Sequence, residues 1–275
     1  MWALVIGFVA GLVLGYVVTR LVRRVRRKYL AVMELWVFLP TEQPPSQDDL
    51  MTRMVRDNPF GSGVIGAAEG ILFSDVRLHT SLVLRAKNPH VFRPDLIGED
   101  VEPTPEALQA LSQARALLKI RYLSEVPLGD ARHVHFVTHM AMAAADLAQS
   151  RLVYDVVGSR LIDVPSLRQE LHADPQAAKP ELQVVVRWLD DDLGGHAETR
   201  GLLKVGLPEL ATAPSPKDQR VLILYLVEEA VKTLWRNMSY PEEMTVEAFD
   251  DTFKLLILPQ AKGPYVIRIG RAHAA

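Results

Sequence analysis

Eighteen consecutive residues, Trp2 to Thr19, carry no charge, and the next nine positions hold six basic side chains: Arg20, Arg23, Arg24, Arg26, Arg27 and Lys28. As a helix rising about 1.5 Å per residue, the uncharged run spans roughly 27 Å, close to the hydrocarbon thickness of a bilayer. A cleaved signal peptide would put basic residues before the apolar stretch and a small-residue cleavage motif after it. This chain has neither. The pattern therefore predicts a retained transmembrane anchor over residues 1–19 and a basic juxtamembrane segment over 20–29. Basic residues flanking a span stay on the cytoplasmic side. The expected topology is single-pass in the cell membrane, N-terminus out, with residues 30–275 in the cytoplasm.

Gly7, Gly11 and Gly15 recur every fourth residue on one side of this expected helix. Positions without side chains let two membrane helices approach closely. They point to self-association, or to pairing with another membrane protein, alongside contact with the lipid bilayer itself.

With the six juxtamembrane charges set aside, 25 basic side chains face 33 acidic ones, a formal charge of −8 for the rest of the chain. A phosphate-binding surface needs clustered Lys and Arg, so nucleic acid is not an expected partner. The chain has no cysteine. Disulfides and thiolate metal sites are excluded, and any metal would be held by His or carboxylate.

Beyond the anchor the signals alternate between strands and helices. Ala31 to Leu39 reads as a strand stopped by Pro40, and Ser46 with Asp48 and Asp49 reads as the capped start of a helix to about Arg56. Asn58 to Gly63 is a breaker segment. Val64–Phe73 and Val76–Ala86 read as hairpin arms. Prolines at 89, 94, 103 and 105 mark residues 88–105 as a loop, where a boundary between two lobes would fall. Thr104 and Pro105 start a helix expected to reach Leu118, and Ile120–Leu123 reads as a strand. His133–Val137 is expected as another strand, followed by an alanine-rich helix over His139–Gln149.

Two hairpins follow, Leu152–Val157 with Arg160–Val164 across Gly158-Ser159, and Leu182–Leu189 with Thr199–Val205 across Asp190-Asp191-Asp192. Pro165 starts a short helix between them. Ser215 caps a long helix ending near Asn237, and strands at Phe253–Leu258 and Tyr265–Ile269 close the chain. Strands joined in hairpins, with helices between, predict an α+β fold rather than a doubly wound parallel sheet.

Catalytic signatures are sparse. Gly61-Ser62-Gly63-Val64-Ile65-Gly66 matches the dinucleotide pattern in letters, but it is expected after a helix and before a strand, the reverse of the order that aims helix amides at a pyrophosphate. No nucleotide or other cofactor is expected. The acidic run Asp190–Asp192 lacks the alternating oxygen ligands and closing Glu of a calcium loop. It reads as an exposed hairpin tip. Asp155, Arg160 and Asp163 around the Gly158 hairpin read as solvent-facing cross-strand pairs, with a polar pocket lined by the three as the alternative. Trp36, Trp188 and Trp235 read as core.

The strongest metal-like grouping is His133, His135 and His139, because alternate strand residues share a face and the third could return from the next helix. Against it, no carboxylate stands nearby to orient the imidazoles. The sequence thus predicts a membrane-anchored cytoplasmic protein-interaction or scaffolding domain. The alternative is a membrane-bound, metal-dependent hydrolase built on the three histidines.

Overall fold

A computed structural model describes residues 30–58, 75–96, 104–192, 194–260 and 262–271. The expected anchor with Gly7, Gly11 and Gly15, the basic segment, the Gly61–Gly66 pattern and the Val64–Phe73 hairpin arm lie outside these residues. Among the described residues, no helix is long and apolar enough to cross a membrane.

Among the described residues the fold is α+β, with two sheets and six helices. Strand β1 (Ala31–Leu39) is flanked on one side by β3 (Ala116–Ser124), which pairs in turn with β2 (Leu78–Leu84). On its other side β1 meets β4 (Leu152–Asp155), which pairs with β5 (Arg160–Asp163). All these pairings are antiparallel.

This first sheet is covered on both faces because β1 is apolar on both. Met33, Leu35, Val37 and Leu39 face helix α3 (Arg132–Leu147), against which α1 (Gln47–Val55) packs. Phe38 and Trp36 face the other way, in a separate cluster with Phe92 of the 3-10 turn Pro89–Phe92 and Leu111 of helix α2 (Pro105–Gln113).

The second sheet runs β6 (Val185–Asp191), β7 (Gly194–Arg200), β8 (Leu210–Thr212), β11 (Tyr265–Arg271), β10 (Asp251–Leu258) and β9 (Glu243–Ala248). Among these described strands only β8 and β11 pair in parallel. In β10, Phe253, Leu255 and Ile257 are buried while Thr252, Lys254 and Leu256 are exposed. That period of two matches a sheet with one dry and one wet face. Helix α6 (Arg220–Asn237) covers the dry face with Leu226, Ala230 and Leu234. One hydrophobic cluster continues from Met33 and Leu35 of the first sheet to Leu226 and Leu255 of the second layer.

β2 and β3, on either side of residues 88–105, are neighbours in one sheet. The change of sheet falls between β5 and β6, across helices α4 (Val164–Ala173) and α5 (Pro180–Gln183).

Several local expectations hold. Ser46 and Thr104 cap α1 and α2, their hydroxyls accepting from the amides of Asp49 (3.1 Å) and Ala107 (3.2 Å). Others are corrected. His133–Val137 is not a strand but the first half of α3, whose residues 133–145 are all buried. A helix with no polar stripe gives no 3.6-residue signal, and its short alternating run is open to either reading. The helix expected to Leu118 ends at Gln113, and β3 begins at Ala116. Pairing on both sides with β1 and β2 overrides the helical preference of Ala and Leu. The strand expected at Thr199–Val205 is instead β7, starting at Gly194, followed by a 3-10 turn at Leu202–Val205.

Candidate functional site

The two layers are joined by a buried polar knot. The turn Leu202–Val205 lies against β1 and drives Lys204 into the first layer, where neither it nor Asp155 is exposed. Lys204 Nζ donates to Asp155 Oδ2 (2.5 Å), to the Gln183 backbone carbonyl (2.7 Å) and to Gln183 Oε1 (2.9 Å). That is the full complement of an ammonium group. Asp155 Oδ1 accepts from the Gly158 amide (3.0 Å), and Arg160 Nε stands 3.7 Å from Oδ2. Gln183 Nε2 donates onward to Thr138 Oγ1 (3.0 Å) and the Ala177 carbonyl (2.7 Å). Burial pulls the Lys204 ammonium below its ordinary pKa, and the Asp155 carboxylate opposes that pull.

Asp155 and Arg160 are cross-strand partners, as expected. They do not face solvent as a pair, because Asp155 is fully buried beneath Lys204. Asp163 instead caps α4, accepting from the Ser166 amide (3.0 Å).

The geometry fixes a glycine in this knot. Gly201 has φ +125°, and a Cβ there would lie 2.3 Å from the Gln183 carbonyl oxygen, the same atom that accepts from Lys204. Gly201→Ala is therefore expected to cost about 1–3 kcal/mol from backbone strain. Chemical denaturation reads the loss, and an unchanged midpoint would refute it.

The three histidines share α3, and each fastens it to a backbone segment. His133 Nε2 donates to the Lys204 carbonyl (2.7 Å), and its ring stacks on Tyr122 at 4.6 Å. His135 Nδ1 accepts from the Ala177 amide (3.2 Å), and His139 Nε2 donates to the Pro175 carbonyl (3.0 Å). The rings of His135 and His139 are 4.6 Å apart, one helical turn along, while His133 points to a different segment. Burial lowers the pKa of His133, and burial with the neighbouring His135 lowers that of His139 to about 4. Among the described residues, no group of three or more His, Cys, Asp or Glu is placed to hold a metal ion.

Glu209 is also turned inward. Its carboxylate accepts from Thr199 Oγ1 (2.7 Å) and from the amides of Gly201 (2.9 Å) and Leu203 (3.2 Å). Burial raises its pKa against those bonds. The group thus braces the loop that presents Lys204. The acidic tip is exposed, with Asp190 paired to Lys217 at 3.2 Å. Trp235 Nε1 donates to the Ala178 carbonyl (2.8 Å), Trp36 Nε1 donates to Glu34 Oε1 (2.6 Å), and Trp188 packs against the main core.

Surface chemistry concentrates at one end of the second sheet. Ala248 and Asp251 are paired across a two-residue turn, Phe249-Asp250, in which both residues have positive φ, +51° and +65°. Such turns favour Asn, Asp or Gly, and an aromatic residue there is strained. Phe249 is nevertheless 68% exposed. Its ring lies 5.8 Å from that of Tyr225, itself 39% exposed, and Val221, one helical turn before Tyr225 on α6, is 70% exposed. Three large apolar side chains thus share an exposed patch.

No family model matches the chain, and neither a curated protein nor a solved structure matches it.

The patch has a defined position relative to the chain's route out of the domain. Leu30 lines a cleft of about 410 Å³ with Gly206, Pro208, Gly263 and Pro264. Those last two residues lie beyond the C-terminal end of β10, whereas Phe249 precedes its N-terminal end. Eight residues at about 3.3 Å each place the patch roughly 25 Å from the Leu30 end.

Sequence reasoning missed Lys204 and Gln183, which carry no local signal of burial. It also missed β9 and its turn, although Glu243–Ala248 alternates exposed and buried side chains in strict period two.

Proposed function

We propose that the protein is a membrane-anchored protein-interaction domain, held at the cytoplasmic face by residues 1–29 and recognising its partner through Val221, Tyr225 and Phe249. The observation that carries this reading is an exposed aromatic patch on a strained turn, at the end of the second sheet opposite Leu30. Strained, non-glycine turns persist where function retains them, and exposed apolar groups gathered at one place mark interaction sites. With the anchor N-terminal to Leu30, the patch points away from the bilayer and towards soluble or peripheral proteins. The hydrolase alternative gains no support from histidines each of which has a ring nitrogen hydrogen-bonded to a backbone group, at residues 175, 177 and 204.

In-cell photocrosslinking tests the proposal. A photoreactive amino acid at Val221 of the full chain is expected to give one discrete heavier species in the membrane fraction. Phe249→Asp, in the same molecule, should abolish it. The same probe at Thr252, on the wet face of β10, should give none. Recovery of the chain in the soluble fraction, or an adduct insensitive to Phe249→Asp, would overturn the reading.

A further inference from the structure

We propose that the Val221–Tyr225–Phe249 patch takes a basic segment of a partner protein that inserts one aromatic or large aliphatic side chain beside Phe249. The inference rests on the interaction-domain reading and adds the chemistry of the partner.

Charge around the patch carries it. Asp218 lies in the 3-10 turn Lys217–Gln219, three residues before Val221, and Glu228 stands three residues after Tyr225 on α6. Residues three or four apart are neighbours on a helix surface. Asp250 shares the turn with Phe249 and is exposed. All three acids are exposed, and among the described residues none of them makes an ion pair. Arg220 is the exposed basic residue nearest in sequence. Glu229 and Asp251, close by, are already matched to Lys232 at 2.7 Å and Arg271 at 3.3 Å. The surroundings are thus net acidic, with carboxylates on both the helix and the turn sides of an apolar centre. A complementary ligand carries Lys or Arg around an apolar anchor. A bilayer surface is a poor fit, because the anionic lipids of the cytoplasmic leaflet repel such a border.

The turn also supplies a variant that separates binding from folding. Glycine adopts positive φ without strain, so Phe249→Gly removes the aromatic side chain while relieving the backbone. Its thermal midpoint should be equal to or above that of the natural chain.

The test uses the full chain in nanodiscs of zwitterionic lipid, with a fluorescent probe peptide, Gly-Ser-Lys-Lys-Trp-Lys-Lys-Ser-Gly, read by anisotropy against empty nanodiscs. Binding to the natural chain is expected, at least tenfold weaker for Phe249→Gly, and weakened by salt. Replacing the four lysines of the probe with glutamate should abolish it, and so should replacing its tryptophan with serine. If lysine and glutamate probes bind equally and both depend on Phe249, the basic-partner inference fails while the interaction-domain reading stands. If neither probe binds although the Val221 adduct forms in cells, the inference again fails alone. If neither probe binds and no adduct forms, both fail.

Discussion

Lys204→Met is expected to destabilise the full chain by about 3–5 kcal/mol, the loss seen when one member of a buried ion pair is removed. Methionine fills much of the same space, so little of the effect comes from a cavity. What remains is the Asp155 carboxylate, fully buried, with the Gly158 amide on one oxygen and Arg160 3.7 Å from the other. Gln183 loses its donor at both its backbone carbonyl and Oε1. The companion variant carrying both Lys204→Met and Asp155→Leu should recover a large part of the loss, since replacing a whole buried pair with apolar groups is often nearly neutral. Chemical denaturation of the single and double variants in detergent gives the coupling. A loss below about 1 kcal/mol for Lys204→Met, small on the scale of breaking a buried pair, would show that the two layers do not depend on this joint.

The second large effect is on acid stability. His139 has its pKa lowered from 6.5 to about 4, first by burial and then by His135. Its neutral form is the one the fold accommodates, so the unfolded chain binds the proton more readily. Stability from this group is fully present above the unfolded pKa of 6.5. It falls as pH drops from there to about 4, below which both states are protonated. At about 1.36 kcal/mol per pKa unit, the loss is about 3 kcal/mol. His133, lowered by burial, acts in the same direction. Glu209, raised by burial, acts in the opposite one, favouring acid. Unfolding free energies measured between pH 4 and 7.5 should therefore rise with pH, and His139→Gln should flatten that rise. A pH-independent stability, or a slope unchanged in the variant, would contradict the assignment.

The parts of the fold legible in the sequence are those where local chemistry and tertiary environment agree. Ser46 and Thr104 read as caps because a hydroxyl can satisfy a helix-end amide whatever surrounds it. The hairpin arms of β4 with β5 and of β10 with β11 read correctly because apolar runs there are bounded by turn residues or proline. α3 is illegible for the opposite reason: it is wrapped on all sides, so its sequence keeps no polar face to mark its period. β3 is written partly in helix-favouring Ala and Leu and is a strand only because β1 and β2 flank it. Lys204 is the deepest miss. A lysine in a six-residue stretch of ordinary appearance reads as exposed, and its burial is decided by Asp155 and Gln183, 49 and 21 residues away in sequence.

The first sheet is built wholly from residues 31–163 and the second wholly from 185–271. β1 nevertheless occupies the middle of its sheet, between β3 and β4. During synthesis β1 must therefore wait for Ala116 and then Leu152 before both of its edges are filled, and such distant pairing slows closure. Even then the layer is incomplete, because the ammonium that hydrogen-bonds Asp155 arrives only with residue 204. The growing chain thus passes through a stage in which the five strands of the first sheet are present but Asp155 has only Arg160 beside it, 3.7 Å away, and the second half delivers the buried ammonium as it begins to fold.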